Sequence, residues 1–195
     1  NRIAKESEQA RRKADLLTHL YNTVKGKQAG KVNLSFEAYI QAYYFERVVE
    51  AANRRFEAMS EGRYLLRRRD DSVSISGKNA LVLDVLDHYP GKLRPVSSLS
   101  GGESFKAALC LALGLSDVIQ AGSGGVEIDA LFVDEGFGTL DEASLDKALE
   151  VLLGLAGPGK MVGVISHVPE LKDRINRQIV LKKGALGSTA RIVQA

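Results

Sequence analysis

The chain holds one cysteine, four prolines and no tryptophan in 195 residues. A single cysteine, Cys110, excludes an internal disulfide framework and any cysteine-based zinc cluster built within the chain. It sits in the apolar run AALCLALGL and is read as a buried core thiol rather than a reactive one. Apolar runs are short as well. None approaches the ~20 residues of a membrane span, and the charged opening NRIAKESEQARRKADLL has no signal-peptide core. A soluble, cytoplasmic protein with no membrane partner is expected. The first residue is Asn rather than Met, which points to a fragment or a processed form. With 45% hydrophobic and 26% charged residues, a chain of this length can bury roughly 70% of its unfolded surface, which leaves out disorder and fibrous repeats. One domain, or most of one, is expected.

The net charge of +3 is unevenly spread. Residues 1–98 carry 18 basic and 12 acidic residues (+6), residues 99–171 carry 3 and 11 (−8), and residues 172–195 carry 6 and 1 (+5), which sum to +3. An acidic middle between basic flanks suits a metal-dependent centre with polyanion contacts around it, and equally suits charge scattered over unrelated solvated faces.

Ile3, Ala10, Leu17 and Val24 recur every seven positions, which predicts a helix over residues 1–25. The repeat fits either the end of a coiled coil or an ordinary amphipathic helix. After GKQAGK, a second helix is predicted from Ser35 to about Met59, its aromatics Phe36, Tyr39, Tyr43 and Tyr44 read as core. RYLLRRR, SVSIS and ALVLDVLD switch to a period of two and predict a small antiparallel sheet, with HYPGKLRPVSS as a loop after it. Arg67, Arg68 and Arg69 are read as a solvated strand edge or a phosphate contact. An apolar helix from Glu103 to about Ile119 follows. Then come strand IDALFV, helix EASLDKALEVLLGL, strand MVGVIS, a short helix near Pro169, and strands RQIVLKK and TARIVQA. Strands alternating with helices predict an α/β fold with a mostly parallel sheet, and runs such as LFV and VGVI predict strands buried on both faces.

Four features fall in order along this pattern. Leu99-Ser100-Gly101-Gly102-Glu103 runs directly into the apolar helix, so backbone N–H groups and the helix dipole face outward at a point built to meet an anion. Alone, the pentapeptide reads first as an ordinary serine N-cap with glycine turn residues. IDALFVDE ends a buried strand on Asp134 and Glu135, an arrangement in which one carboxylate helps hold Mg²⁺ and the next orients a water. Asp141 in GFGTLD is placed to cap the next helix. MVGVIS delivers His167 to the carboxyl end of a second predicted parallel strand, the edge where open α/β sheets bind ligands.

LSGGE, a strand ending DE, TLD and a later ISH resemble the signature motif, Walker B, D-loop and H-loop of an ABC-type ATPase. The spellings DEGFGTLD, RPVSSLSGGESF and FEAYIQAYYFERVVEAANRRFEAMSEGRY resemble the C-terminal half of the SbcC family, from about Val32 to the end. SbcC is the large ATPase subunit of the SbcCD nuclease. The resemblance implies that residues 1–30 end a coiled coil and that residues 31–195 form the C-terminal lobe of an ATPase head. It implies ATP and Mg²⁺ as ligands, with Asp134 on Mg²⁺, Glu135 deprotonating the attacking water and His167 on the γ-phosphate. Ser100, Gly101 and Gly102 are implied to bind the ATP of an opposite head, with Asp141 across that interface. The implied partners are the N-terminal lobe of the same protein, a second head, an SbcD-like nuclease subunit and double-stranded DNA. An SMC-type or RecN-type head with an architectural role shares the motifs, but GFGTLD departs from the usual SMC spelling.

Gly154 to Met161 matches the first seven positions of the Walker A pattern, yet Met161 stands where Ser or Thr must reach Mg²⁺. The segment also follows a predicted helix and opens a strand, the reverse of a P-loop. It is read as a helix-to-strand turn, which leaves the chain without a P-loop.

Overall fold

The computed structural model describes residues 2–25, 36–69, 81–122, 128–156, 160–184 and 187–194. They fall into two compact units, Asn1–Leu99 with Lys106–Val126, and Ser100–Phe105 with Glu127–Ala195.

In the first unit, α1 (Arg2–Val24) keeps Leu16, Leu17, Leu20, Tyr21 and Val24 exposed. Helix α2 (Phe36–Met59) buries its second half through Val48, Val49, Ala51, Ala52, Phe56 and Met59. The aromatics read as core, Phe36, Tyr39, Tyr43 and Tyr44, are instead exposed. Early in α2 only Ala38 is buried, and its packing partners among the described residues meet its later turns. One is β1 (Tyr64–Arg68), where Phe56 stacks on Tyr64 and Asn53 takes both polar groups of Leu66, donating to its carbonyl at 2.9 Å and accepting from its amide at 2.8 Å. The other is α3 (Gly101–Gly122): a Cβ on Gly114 would stand 2.6 Å from the Val48 carbonyl oxygen, so only glycine allows this backbone approach. Arg55 clasps Asp117 across the same pair of helices at 2.7 and 3.3 Å.

Helix α3 is long and apolar enough to cross a membrane by length and composition, which the short apolar runs of the sequence did not suggest. Its residues Ala107, Leu109, Cys110 and Leu113 are buried, whereas Leu115 and Ile119 are exposed. Cys110 lies with its sulfur 3.5 Å from that of Met59, and burial pushes its thiol up to about 12 despite Arg55 and Lys106 nearby. The expected core thiol is what the fold contains.

Strand β1 pairs antiparallel with β2 (Leu83–Asp87), and β2 with β3 (Lys92–Pro95). The third strand comes from KLRP, read as loop, because the turn at Gly91, in the left-handed region at φ 63°, folds the chain straight back. SVSIS lies outside the described residues. Arg69 pairs with Asp84, whereas Arg67 is exposed. Asp87 is buried and accepts from Arg63 at 3.2 and 3.3 Å, from Arg94 at 3.5 Å and from the Tyr89 amide at 3.2 Å.

In the second unit, β4 (Ala130–Asp134) and β5 (Met161–Ile165) pair in parallel through the crossover helix α4 (Glu142–Leu155). The chain is α/β, but among the described residues this is the one parallel pairing, less than the mostly parallel sheet expected. The cause lies after β5: the connection carries only the single-turn α5 (Pro169–Lys172), too little for another crossover helix. Strands β6 (Arg177–Gly184) and β7 (Gly187–Gln194) accordingly form an antiparallel hairpin. Nor are β4 and β5 buried on both faces, since Phe132 is 63% and Ile165 55% exposed. Two strands alone cannot cover both sides. Gly154 ends up inside α4 and Met161 opens β5, so the Walker-like stretch is a helix-to-strand passage.

Burial alone would push Asp87 up, but the Arg63 hydrogen bond, the Tyr89 amide and the Arg63 and Arg94 charges outweigh it and hold it below the usual carboxylate range. A depressed folded-state value stabilises above the unfolded value and is lost as pH falls through the folded one. Stability should therefore drop on acidification below the ordinary carboxylate range. Asp87→Asn should lower the thermal midpoint at neutral pH and flatten that acid drop, as read by circular dichroism melts across pH.

Candidate functional site

The second unit contains every residue singled out for chemistry. Ser100 opens α3, and its segment forms a capping box: the Ser100 amide donates to Glu103 Oε2 at 2.8 Å, and the Glu103 amide donates to Ser100 Oγ at 3.4 Å. The Ser104 amide returns to the Ser100 carbonyl at 2.8 Å. Those bonds use the amides of Ser100, Glu103 and Ser104. Gly101 and Gly102 occupy the first turn, where helix N–H groups have no partner within the helix. The Ser100 hydroxyl, accepting one bond, keeps its proton to donate.

Strand β4 ends on Asp134, whose exposed carboxylate has no ion pair among the described residues. Glu135 leaves the strand in the left-handed region at φ 59°, uncommon for a residue other than glycine. Its amide donates to the Ile165 carbonyl at 2.9 Å, extending the ladder by one bond while the chain turns. Two residues past β5, His167 Nδ1 lies 2.9 Å from Glu135 Oε2. The His167 side chain is 80% exposed and the Glu135 side chain 52%.

Gly136 follows at φ 93°, and its carbonyl accepts from Thr139 Oγ1 at 2.8 Å. The 3₁₀ turn Phe137–Thr139 buries Phe137 against Phe105 of α3, ring centroids 5.0 Å apart and edge to face. A Cβ on Gly102 would stand 2.8 Å from the Thr139 carbonyl oxygen, so the first turn of α3 rests directly on this segment. Asp141 then caps α4, accepting from the Ser144 amide at 2.7 Å.

The unit thus gathers Asp134, Glu135 and His167 at one sheet edge and Ser100, Gly101, Gly102 and Asp141 at the helix starts beside it. Sequence reasoning named these residues but missed the close approach of Glu135 and His167, the box closed by Glu103, and Phe105. The S-x-x-E spacing of Ser100 and Glu103 was the available signal for the box. Phe105 carries none, because its contact with Gly136 and Phe137 is remote in sequence. The donor set fits both expected ligands. One open carboxylate at a strand end suits Mg²⁺, which keeps most of its waters, and two glycine amides beside a hydroxyl at a helix start suit phosphate oxygens.

Residues 81–153 match the family model described as SbcC/RAD50-like, Walker B motif. The chain is similar to the C subunit of the nuclease SbcCD from Staphylococcus haemolyticus, 50% identical over 156 residues that cover 80% of this chain and 15% of that protein. Its counterpart of the same name from Vibrio cholerae is 45% identical over 174 residues, 89% of this chain and 17% of that one. That from Treponema pallidum is 48% identical over 155 residues, 80% and 15%. The chain therefore spans 15–17% of the length of these relatives. In fold it resembles a chain solved in work on ATP-driven dimerization and DNA-stimulated activation of SMC ATPases, with a TM-score of 0.63 at 14% identity, over 80% of this chain and 89% of that one. It also resembles the Smc head domain of Pyrococcus furiosus solved with an extended coiled coil and bound to the C-terminal domain of ScpA, with a TM-score of 0.62 at 13% identity, over 98% and 43%. At 13–14% identity these likenesses are ones of fold.

Replacing Asp141 by Ala should cost about 1 kcal/mol of stability through the lost N-cap. Asp141→Asn should retain most of it, since an amide oxygen still accepts from Ser144. Urea unfolding of the three proteins measures the difference.

Proposed function

The chain belongs to the SbcC/RAD50-like family, and on that premise we propose that it is the C-terminal ATPase-head lobe of an SbcC-like protein. Its ATP-driven dimerisation regulates DNA-end processing by a partner nuclease in double-strand-break repair. Residues 1–30 end the coiled coil, residues 31–195 form the lobe, and the protein works in the cytoplasm. The observation that carries this reading is the Glu135–His167 pair, 2.9 Å apart at the carboxyl edge of the parallel strands and directly after Asp134.

In this reading Asp134 holds Mg²⁺, which when bound neutralises charge on the phosphates. Glu135 orients a water and takes its proton on a carboxylate oxygen. The water oxygen attacks the γ-phosphorus as the bond to ADP breaks. His167, with Nδ1 2.9 Å from Glu135 Oε2, contacts the γ-phosphate beside that carboxylate. Phosphoryl transfer is largely positioning and charge, and these residues supply it from rigid strand ends. Ser100, Gly101 and Gly102 bind the γ-phosphate of ATP held by a second head, with Asp141 near that interface, so nucleotide joins the two. The P-loop comes from the N-terminal lobe of the same protein, and an SbcD-like subunit supplies the nuclease. The open faces of β4 and β5 and the exposed Ile179, Leu181 and Ile192 of the β6–β7 hairpin support a role for that lobe. Duplex DNA is met by the basic flanks, where Arg67, Lys182, Lys183 and Arg191 are exposed. A purely architectural SMC role is the lesser reading, because the SMC likeness is one of fold at 13–14% identity.

The isolated chain, lacking a P-loop, should hydrolyse no ATP above a Glu135→Ala control, and adding the N-terminal lobe should restore turnover. In the full-length protein, Glu135→Gln keeps the side-chain shape but cannot accept the proton. Turnover should fall ~10²- to 10⁴-fold, while ATP still binds and the dimer persists. Asp134→Ala should instead weaken Mg²⁺–ATP binding and dimerisation together. Steady-state ATPase rates and ATP-dependent dimer fractions check both.

A further inference from the structure

We propose that Phe105 is a positioning residue for Glu135: its ring, set against Gly136 and Phe137, fixes the left-handed turn that aims the Glu135 carboxylate. The role presupposes Glu135 as the proton acceptor of the ATPase reaction.

Glu135 and Gly136 are consecutive residues with positive φ, 59° and 93°. A glutamate has no intrinsic preference for that region, so the surroundings must hold it there. Three contacts do so. The Ile165 carbonyl takes the Glu135 amide at 2.9 Å. Thr139 Oγ1 donates to the Gly136 carbonyl at 2.8 Å. On the remaining side lies the Phe105 ring, so close that a Cβ on Gly136 would come within 2.2 Å of its Cδ2 and Cε2 atoms. The same ring meets Phe137 edge to face at 5.0 Å.

The first two contacts are hydrogen bonds of the turn to its own sheet and to itself. Phe105 ties the turn at Gly136 to another element, the helix that Ser100 begins, beside the approach of Gly102 to the Thr139 carbonyl. Without the ring, the space beside Gly136 opens, and the packing of Gly136 against α3 that opposes relaxation of φ at Glu135 is lost. Rotation there swings the carboxylate away from its aim and from His167. ATP contacts at Ser100, Gly101 and Asp134 do not pass through Gly136. The expected signature is thus a loss of turnover without a loss of nucleotide affinity, in keeping with the steep dependence of catalysis on placement.

The test uses the full-length protein with its nuclease partner, comparing parent, Phe105→Leu, Phe105→Ala and Glu135→Gln. Phe105→Ala should lower kcat by ~10- to 10²-fold with KM for ATP within about twofold of the parent. Phe105→Leu, which fills much of the space without a ring edge, should fall between the two. Where Phe105→Ala does not fold, Phe105→Leu decides: a reduced kcat at constant KM supports the role, and an unchanged kcat overturns it. A kcat within twofold of the parent for Phe105→Ala overturns it too, as does a rise in KM that accounts for the whole loss. Glu135→Gln separates the two levels. If it abolishes turnover while Phe105→Ala is normal, the positioning role fails and the function stands; if it retains turnover, the function itself fails.

Discussion

The candidate site depends on one close contact, the seating of the first turn of α3 on the chain that follows β4. Gly102 lies where a Cβ would be 2.8 Å from the Thr139 carbonyl oxygen, and three residues on, one helical turn later, Phe105 fills the space beside Gly136. Residues three apart on a helix share a face, so a single face of α3 meets Gly136 through Leu140. The two glycines are required on opposite sides of that contact, one to let the helix in and one to let the ring in.

Two chemically different surfaces result from this seating. One is an acidic strand edge, where Asp134, Glu135 and His167 can manage a cation, a water and a proton. The other is a helix start whose glycine amides and serine hydroxyl favour an anion, though Glu103 already folds back on the Ser100 amide. In the proposed head dimer, the first surface would serve the ATP of its own head and the second that of its partner. The Phe105 contact links the two surfaces within one chain.

Much of this was legible in the order of residues. Helix α4 occupies EASLDKALEVLLGL as read, because Asp141 caps it and Leu145, Leu149 and Leu152 keep the helical period. The positions of Asp134 and His167 after parallel strands follow from the same alternation. Other features needed the third dimension. The aromatics of α2 carry a helical stripe but no information on which turns find a partner, and they are exposed. Strand β3 is too short and too basic for its period to show, and forms only because the Gly91 turn returns it to β2. LFV and VGVI read as doubly buried because period alone does not count neighbouring strands. The positive φ at Glu135 leaves no trace in the spelling DEG beyond the glycine itself.

The central claim is that Ser100 and Glu135 of one chain act on different nucleotides, and mixing two inactive proteins tests it most directly. Full-length Ser100→Arg and Glu135→Gln proteins each lack a working site as homodimers. A mixed dimer should contain one site with the Glu135 of the first and the Ser100 of the second, and ATP turnover should reappear on mixing, up to about half the parental rate per mixed dimer, since one of its two sites is restored. Turnover that stays at the level of the two separate mutants, although mixed dimers form, would place both residues at one nucleotide and contradict the account.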